Sequence, residues 1–132
     1  MQTRWRESNL TIARAKYYIL WCTKYRRPVL DGCIQKRLKD IIYNRAKIID
    51  SNIERLSIKE DRVEMIVSSS ALNAPHYLVQ QFKRISSFLL RSEFKELRSK
   101  LPSLWNRSYY LKSLSCDLES SIDDFLLSQR NN

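Results

Sequence analysis

An α+β fold built on one antiparallel sheet is predicted by three features of this 132-residue chain. Aromatic and β-branched residues gather in short blocks, "KYYILWCTKY" and "SYYLKSLS", as strands require. Two longer segments carry apolar residues at helical spacing. Between those helices lie two alternating segments joined by the turn "KED", which is the pattern of a β-hairpin.

The elements follow in order along the chain. "KYYILWCTKY" reads as the first strand and stops at "RRPVLDG". From Cys33 to Ile49, the residues Ile34, Leu38, Ile41, Ile42, Ile48 and Ile49 form one stripe, and Lys36, Arg37, Lys39, Arg45 and Lys47 lie largely opposite. That spacing predicts a basic amphipathic helix, with Asp31 placed to cap it. Ile53 to Ile58 alternates apolar and polar residues, and alternation resumes at Val63 after the turn. In this second hairpin strand Val63, Met65 and Val67 share one face, while Arg62, Glu64 and Ile66 share the other. A face carrying two charges in an otherwise apolar strand needs a reason. Asn73 and Pro75 open a second helix with Leu78, Phe82, Ile85, Leu89 and Leu90 as its core stripe. "SYYLKSLS" is the fourth strand, and Asp117 to Gln129 a last helix. The order β-α-β-β-α-β is that of the split βαβ, or ferredoxin-like, sheet, here with an additional C-terminal helix. Residues 1–15 read as an N-terminal extension and 16–132 as a single domain.

Charge narrows the function. Lys and Arg number 24 against 14 Asp and Glu, a formal net charge of +10, which is the electrostatic footprint of a protein with a phosphate-rich partner. Cys22, Cys33 and Cys116 have no paired spacing that suggests zinc or a disulfide framework, and read as reduced thiols. "YYILWC" is far too short to cross a membrane, and the charged N-terminal stretch lacks a signal peptide's apolar core. A cytoplasmic protein with no membrane partner is expected.

Four blocks then carry a resemblance. "WCTKYRRPVL" (21–30), "DRVEMIV" (61–67), "LVQQFKRISS" (78–87) and "LWNRSYYLKSLS" (104–115) resemble, in order and spacing, the TnpA-type single-tyrosine HUH transposases of the smallest bacterial insertion sequences, with their REP-associated relatives. The similarity spans about Lys16 to Gln129, and "TKYRRPVL" is its most specific piece. It implies a dimeric enzyme that grips an imperfect DNA hairpin. In such enzymes Mg²⁺ or Mn²⁺, held by two histidines of a His-hydrophobe-His motif and by a glutamine, polarises a phosphodiester. A tyrosine one helical turn before that glutamine attacks it and leaves a covalent phosphotyrosine.

The same resemblance puts Arg62, Val63 and Glu64 on the histidine motif and Phe125 on the tyrosine; only Gln129 matches. Phenylalanine has no oxygen with which to attack phosphorus. Ser121 lies a turn away without a base, and Asp123 and Asp124 flank Phe125 in place of basic or neutral residues. No retained metal cofactor and no cleavage are expected from such a chain. Arg62 and Glu64 are expected to form an ion pair across the vacated metal site or a plain solvent-facing pair. A water-rich Mg²⁺ site from Asp61, Glu64 and Gln129 is a weaker alternative.

Binding needs only charge and stacking surface, and both remain. Lys24, Tyr25, Arg26 and Arg27 cluster after the first strand, Lys83 and Arg84 are expected at the start of the second helix, and Arg91 leads a basic stretch through Lys95, Arg98 and Lys100. Trp105 and Tyr109 are either further stacking residues or core. His76, after Pro75, reads as an exposed helix-start residue rather than a ligand. The function expected is a catalytically inactive, transposase-derived homodimer that binds single-stranded or hairpin DNA or RNA, with "SYYLKSLS" strands joining two sheets. A dimeric scaffold that binds another protein is the alternative, and an active nuclease with altered site residues a remote one.

Overall fold

The computed structural model describes residues 14–114. Its elements are β1 (Arg14–Cys22), α1 (Gly32–Ile48), β2 (Ser51–Ile58), β3 (Arg62–Ser70), α2 (Pro75–Glu93), the short helix α3 (Lys95–Lys100) and β4 (Tyr110–Ser113). The four strands form one antiparallel sheet in the order β2-β3-β1-β4. This is the split βαβ order that the sequence predicts. β1 and β3 are the central strands: β3 alternates throughout between half-buried and buried positions, and β1 does so from Lys16 onward. Tyr17, Ile19 and Trp21 of β1 and Val63, Met65 and Val67 of β3 face the helices. Leu38, Ile41 and Ile42 of α1 and Leu78, Phe82 and Leu90 of α2 close over them into one core. The other sheet face carries Tyr18, Leu20, Arg62, Glu64 and Ile66, all half-buried.

Local chemistry sets the boundaries. The Asp31 carboxylate accepts from the Ile34 N–H at 3.0 Å, capping α1, and Pro75 occupies the first turn of α2. Several expectations need correction. β1 begins at Arg14, which pairs with Ser70, so the last two residues of the supposed 1–15 extension belong to the sheet. It also ends at Cys22 rather than Tyr25, because Thr23 is buried and Tyr25 and Arg26 turn back with left-handed backbone, at φ 59° and 54°. The basic stretch after Arg91 contains α3, held by the buried Leu97 and Leu101. Lys83 and Arg84 lie in the middle of α2, not at its start. The expected C-terminal helix, with Cys116, Phe125 and Gln129, lies outside the described residues.

Candidate nucleic-acid interface

The "TKYRR" corner is pinned from beneath. The Thr23 N–H donates to the Asp61 carbonyl at 2.9 Å and the Lys24 N–H to the Leu104 carbonyl at 2.8 Å. The wholly buried Thr23 hydroxyl donates to the Arg27 carbonyl at 2.7 Å. These bonds hold two consecutive non-glycine residues in the left-handed region, which costs about 1–2 kcal/mol each. The result projects Tyr25, 69% exposed, with Arg26 and Arg27 exposed beside it. Lys24 Nζ sits 5.3 Å from the centroid of the Tyr25 ring.

Beside this corner a chain of polar contacts crosses the sheet face turned away from α1 and α2. Asp61 bridges two guanidinium groups: Oδ2 accepts from Arg26 Nη2 at 2.9 Å and Nε at 3.1 Å, and Oδ1 from Arg62 Nη1 at 2.9 Å. Arg62 Nε then reaches Glu64 Oε2 at 3.5 Å, the limit of a hydrogen bond. Glu64 Oε1 accepts a firmer bond from the Tyr18 hydroxyl at 2.9 Å. Burial pushes the Asp61 carboxyl up, but its bonds to Arg26 and Arg62 outweigh this and hold it below the ordinary carboxylate range. Burial raises the Tyr18 phenol, and the Glu64 carboxylate raises it further. The expected Arg62–Glu64 pair therefore exists, though Arg62 is bound more closely to Asp61. Sequence reasoning missed Tyr18, although the period of two along β1 puts it on that sheet face.

The remaining candidates divide into spent and free cations. Lys83 Nζ donates to the carbonyls of Asn106, Arg107 and Ser108 at 2.7, 3.3 and 3.4 Å, and burial lowers its pKa. Arg91 donates to the carbonyls of Leu101 and Pro102. Both residues hold loops together. Arg26 is exposed yet committed to Asp61. Lys24, Arg27 and Arg84 have no carboxylate partner among the described residues, and neither does Arg107, which sequence reasoning missed because nothing in a loop's spacing marks it. Trp105 is buried against Trp21, ring centroids 5.7 Å apart, and donates to the Ser86 hydroxyl at 2.9 Å, so it belongs to the core. His76 is exposed, as expected, but its Nδ1 lies 2.8 Å from the Tyr109 hydroxyl and the rings stack, so Tyr109 is engaged as well. The two loops meet: the Asn106 N–H donates to the Cys22 carbonyl at 2.9 Å and Thr23 bridges Trp105. Lys24, Tyr25, Arg27, Lys83, Arg84 and Arg107 thus lie on or beside one pair of joined loops. Among the described residues no helix is long and apolar enough to cross a membrane.

These elements define an α+β domain of the ferredoxin-like class, with charged residues on the sheet face away from the helices α1 and α2 and a basic corner beside it. Comparison with known proteins fixes the family. Residues 11–129 match the family model described as "Transposase IS200 like", and the chain belongs to that family. It is 27% identical over 122 residues to the ISDra2 transposase TnpA of Deinococcus radiodurans, covering 91% of this chain and 87% of that protein. A transposase crystal structure from Deinococcus radiodurans R1 superposes with a TM-score of 0.71 at 27% identity, over 88% of this chain and 91% of that one. A REP-associated tyrosine transposase bound to a REP hairpin shares the fold, with a TM-score of 0.57 at 10% identity over 75% of this chain and 55% of that one.

Proposed function

We propose that this chain is a non-cleaving member of the transposase family that binds single-stranded or hairpin nucleic acid as a homodimer. The observation that carries the reading is the Asp61–Arg62–Glu64–Tyr18 chain. Arg62 and Glu64 stand where the resemblance puts the metal-binding histidines, and their side chains do not fit a divalent cation. The Arg62 guanidinium brings a fixed positive charge to 2.9 Å from Asp61 and 3.5 Å from Glu64, the carboxylates that a cation would need. A guanidinium accepts no metal and cannot be deprotonated at any pH the fold survives. Phe125 at the expected nucleophile position supports the same conclusion.

Binding is supported by the net charge of +10, the strained corner that displays Tyr25 and Arg27, and a relative that is bound to a REP hairpin. The edge position of β4 among the described strands supports a dimer in which two sheets become one, because an edge strand is an aggregation hazard unless it is paired or covered. The test is incubation of the protein with hairpin DNA and Mg²⁺ or Mn²⁺, followed by a denaturing gel. Retardation on a native gel with no covalent adduct on the denaturing one is expected. A denaturation-resistant protein–DNA adduct would overturn the reading.

A further inference from the structure

On the outer face of α2, Tyr77, Gln81, Arg84 and Phe88 follow one another at four-, three- and four-residue steps, so all four lie within about 60° of one line along the helix. Phe88 is 68% exposed and Tyr77 41%. The two rings are separated by about 16 Å along the axis. Phe88 is no part of the core stripe and makes no ring contact among the described residues. It stands between two grooves. The larger, about 520 Å³, runs toward Lys83, Trp105 and Arg107; the smaller, about 250 Å³, runs toward α1, where Arg45 Nη1 reaches Gln81 Oε1 at 3.4 Å. Arg84 borders both, and among the described residues no carboxylate lines either.

We infer that this stripe is a track for the unpaired nucleotides that flank a bound hairpin, with Phe88 stacking on a base and Arg84 and Arg107 holding its phosphates. The inference rests on the nucleic-acid-binding reading and extends it to a second surface and a second kind of contact. An exposed ring among cations, with no acid lining the grooves among the described residues, suits a polyanion whose bases present flat faces. A protein partner would have to bring its own carboxylates to meet the same three arginines. Stacked nucleotides rise by about 3.4 Å each, so the distance from Tyr77 to Phe88 accommodates several. Arg107 lies in the loop that Lys83 ties down, and that loop bonds to the "TKYRR" corner. Strand leaving a hairpin held at the corner therefore passes directly onto α2.

The test compares the full chain's affinity for a blunt hairpin with that for the same hairpin bearing six unpaired thymidines on either side. Wild type is expected to bind the extended hairpins at least tenfold more tightly. Phe88→Leu, which keeps an apolar side chain but removes the π face, is expected to cancel most of that gain, since stacking on one base accounts for a factor of about ten. Blunt-hairpin affinity should stay within a factor of two. Arg84→Gln should lower the salt dependence of the extended probes by more than that of the blunt hairpin. An extension that adds nothing in wild type overturns the track while leaving hairpin binding intact, as does a gain that survives Phe88→Leu. So does a Phe88→Leu variant whose defect is a changed oligomeric state in sedimentation, which would assign the face to another protein chain. Failure of wild type to bind any hairpin would end both readings.

Discussion

Replacing Thr23 by valine tests how the "TKYRR" corner is held. Valine matches threonine in shape but has no hydroxyl, so only the bond to the Arg27 carbonyl at 2.7 Å and the long contact to the Asp61 carbonyl at 3.3 Å are lost. The Arg27 carbonyl still accepts from the Val29 N–H at 2.8 Å, and that of Asp61 from the Thr23 N–H. No acceptor is orphaned, and the cost should be that of one good buried hydrogen bond, about 1–1.5 kcal/mol. For a chain of this length that corresponds to a Tm lower by roughly 3–6 °C. The strain at Tyr25 and Arg26 is released when the tether weakens, so the corner should also lose order and hairpin affinity should fall. Thermal unfolding monitored by circular dichroism gives the first quantity, and fluorescence anisotropy with a labelled hairpin the second. Thr23→Ser, which keeps the hydroxyl, should retain the affinity. A Thr23→Val variant with wild-type Tm and wild-type affinity would refute the tethering argument.

Arg27→Ala should weaken binding to all hairpin sequences alike and make the slope of log affinity against log salt shallower by about one, with Tm unchanged, because Arg27 has no partner to lose among the described residues. Arg26→Ala should also lower the Tm, since it leaves Asp61 with one guanidinium instead of two. The Asp61 carboxyl titrates below its usual value in the folded chain, so its contribution is present above the unfolded pKa and fades as pH falls through the folded one. The Tm difference between wild type and Asp61→Asn should accordingly be steady between about pH 5 and 8 and shrink below about pH 4. Joint replacement Arg62→His, Glu64→His and Phe125→Tyr should raise affinity for Mn²⁺ in calorimetry, because two imidazoles would then share one face of β3 without a guanidinium. No gain in metal affinity would mean that the assignment of these positions is wrong.

Much of this fold was legible in the residues because the central strands obey one rule. The alternation of Val63, Met65 and Val67 with Arg62, Glu64 and Ile66 fixes which face of β3 meets the helices, and the β1 pattern fixes its neighbour. What the sequence hid is decided by contacts across the chain. Thr23 and Lys24 continue a strand-like composition, and only the bonds of the Thr23 N–H to Asp61 and of the Lys24 N–H to Leu104 force the turn. The α3 segment reads as a solvated basic run unless Leu97 and Leu101 are seen to share a face. Lys83 and Arg91 look like phosphate contacts in any list of cations, and only their carbonyl partners reveal them as braces. Phe88 did carry a signal: with Tyr77 it is one of the two aromatic residues of α2 that fall off the 78–82–85–89 stripe, and it comes four residues after Arg84.

The central claim, that a phosphate backbone is this protein's partner, is tested most directly by a salt titration of binding to a hairpin with a single-stranded extension. Lys24, Arg27, Arg84 and Arg107 are free of carboxylate partners among the described residues, and each phosphate neutralised contributes about −0.7 to −0.9 to the slope of log affinity against log salt. A slope of about −2.8 to −3.6 per protomer is predicted. A slope shallower than about −1, with affinity unmoved from low to high salt, would contradict the account, for then the cations displayed around the corner and along α2 would meet no phosphate.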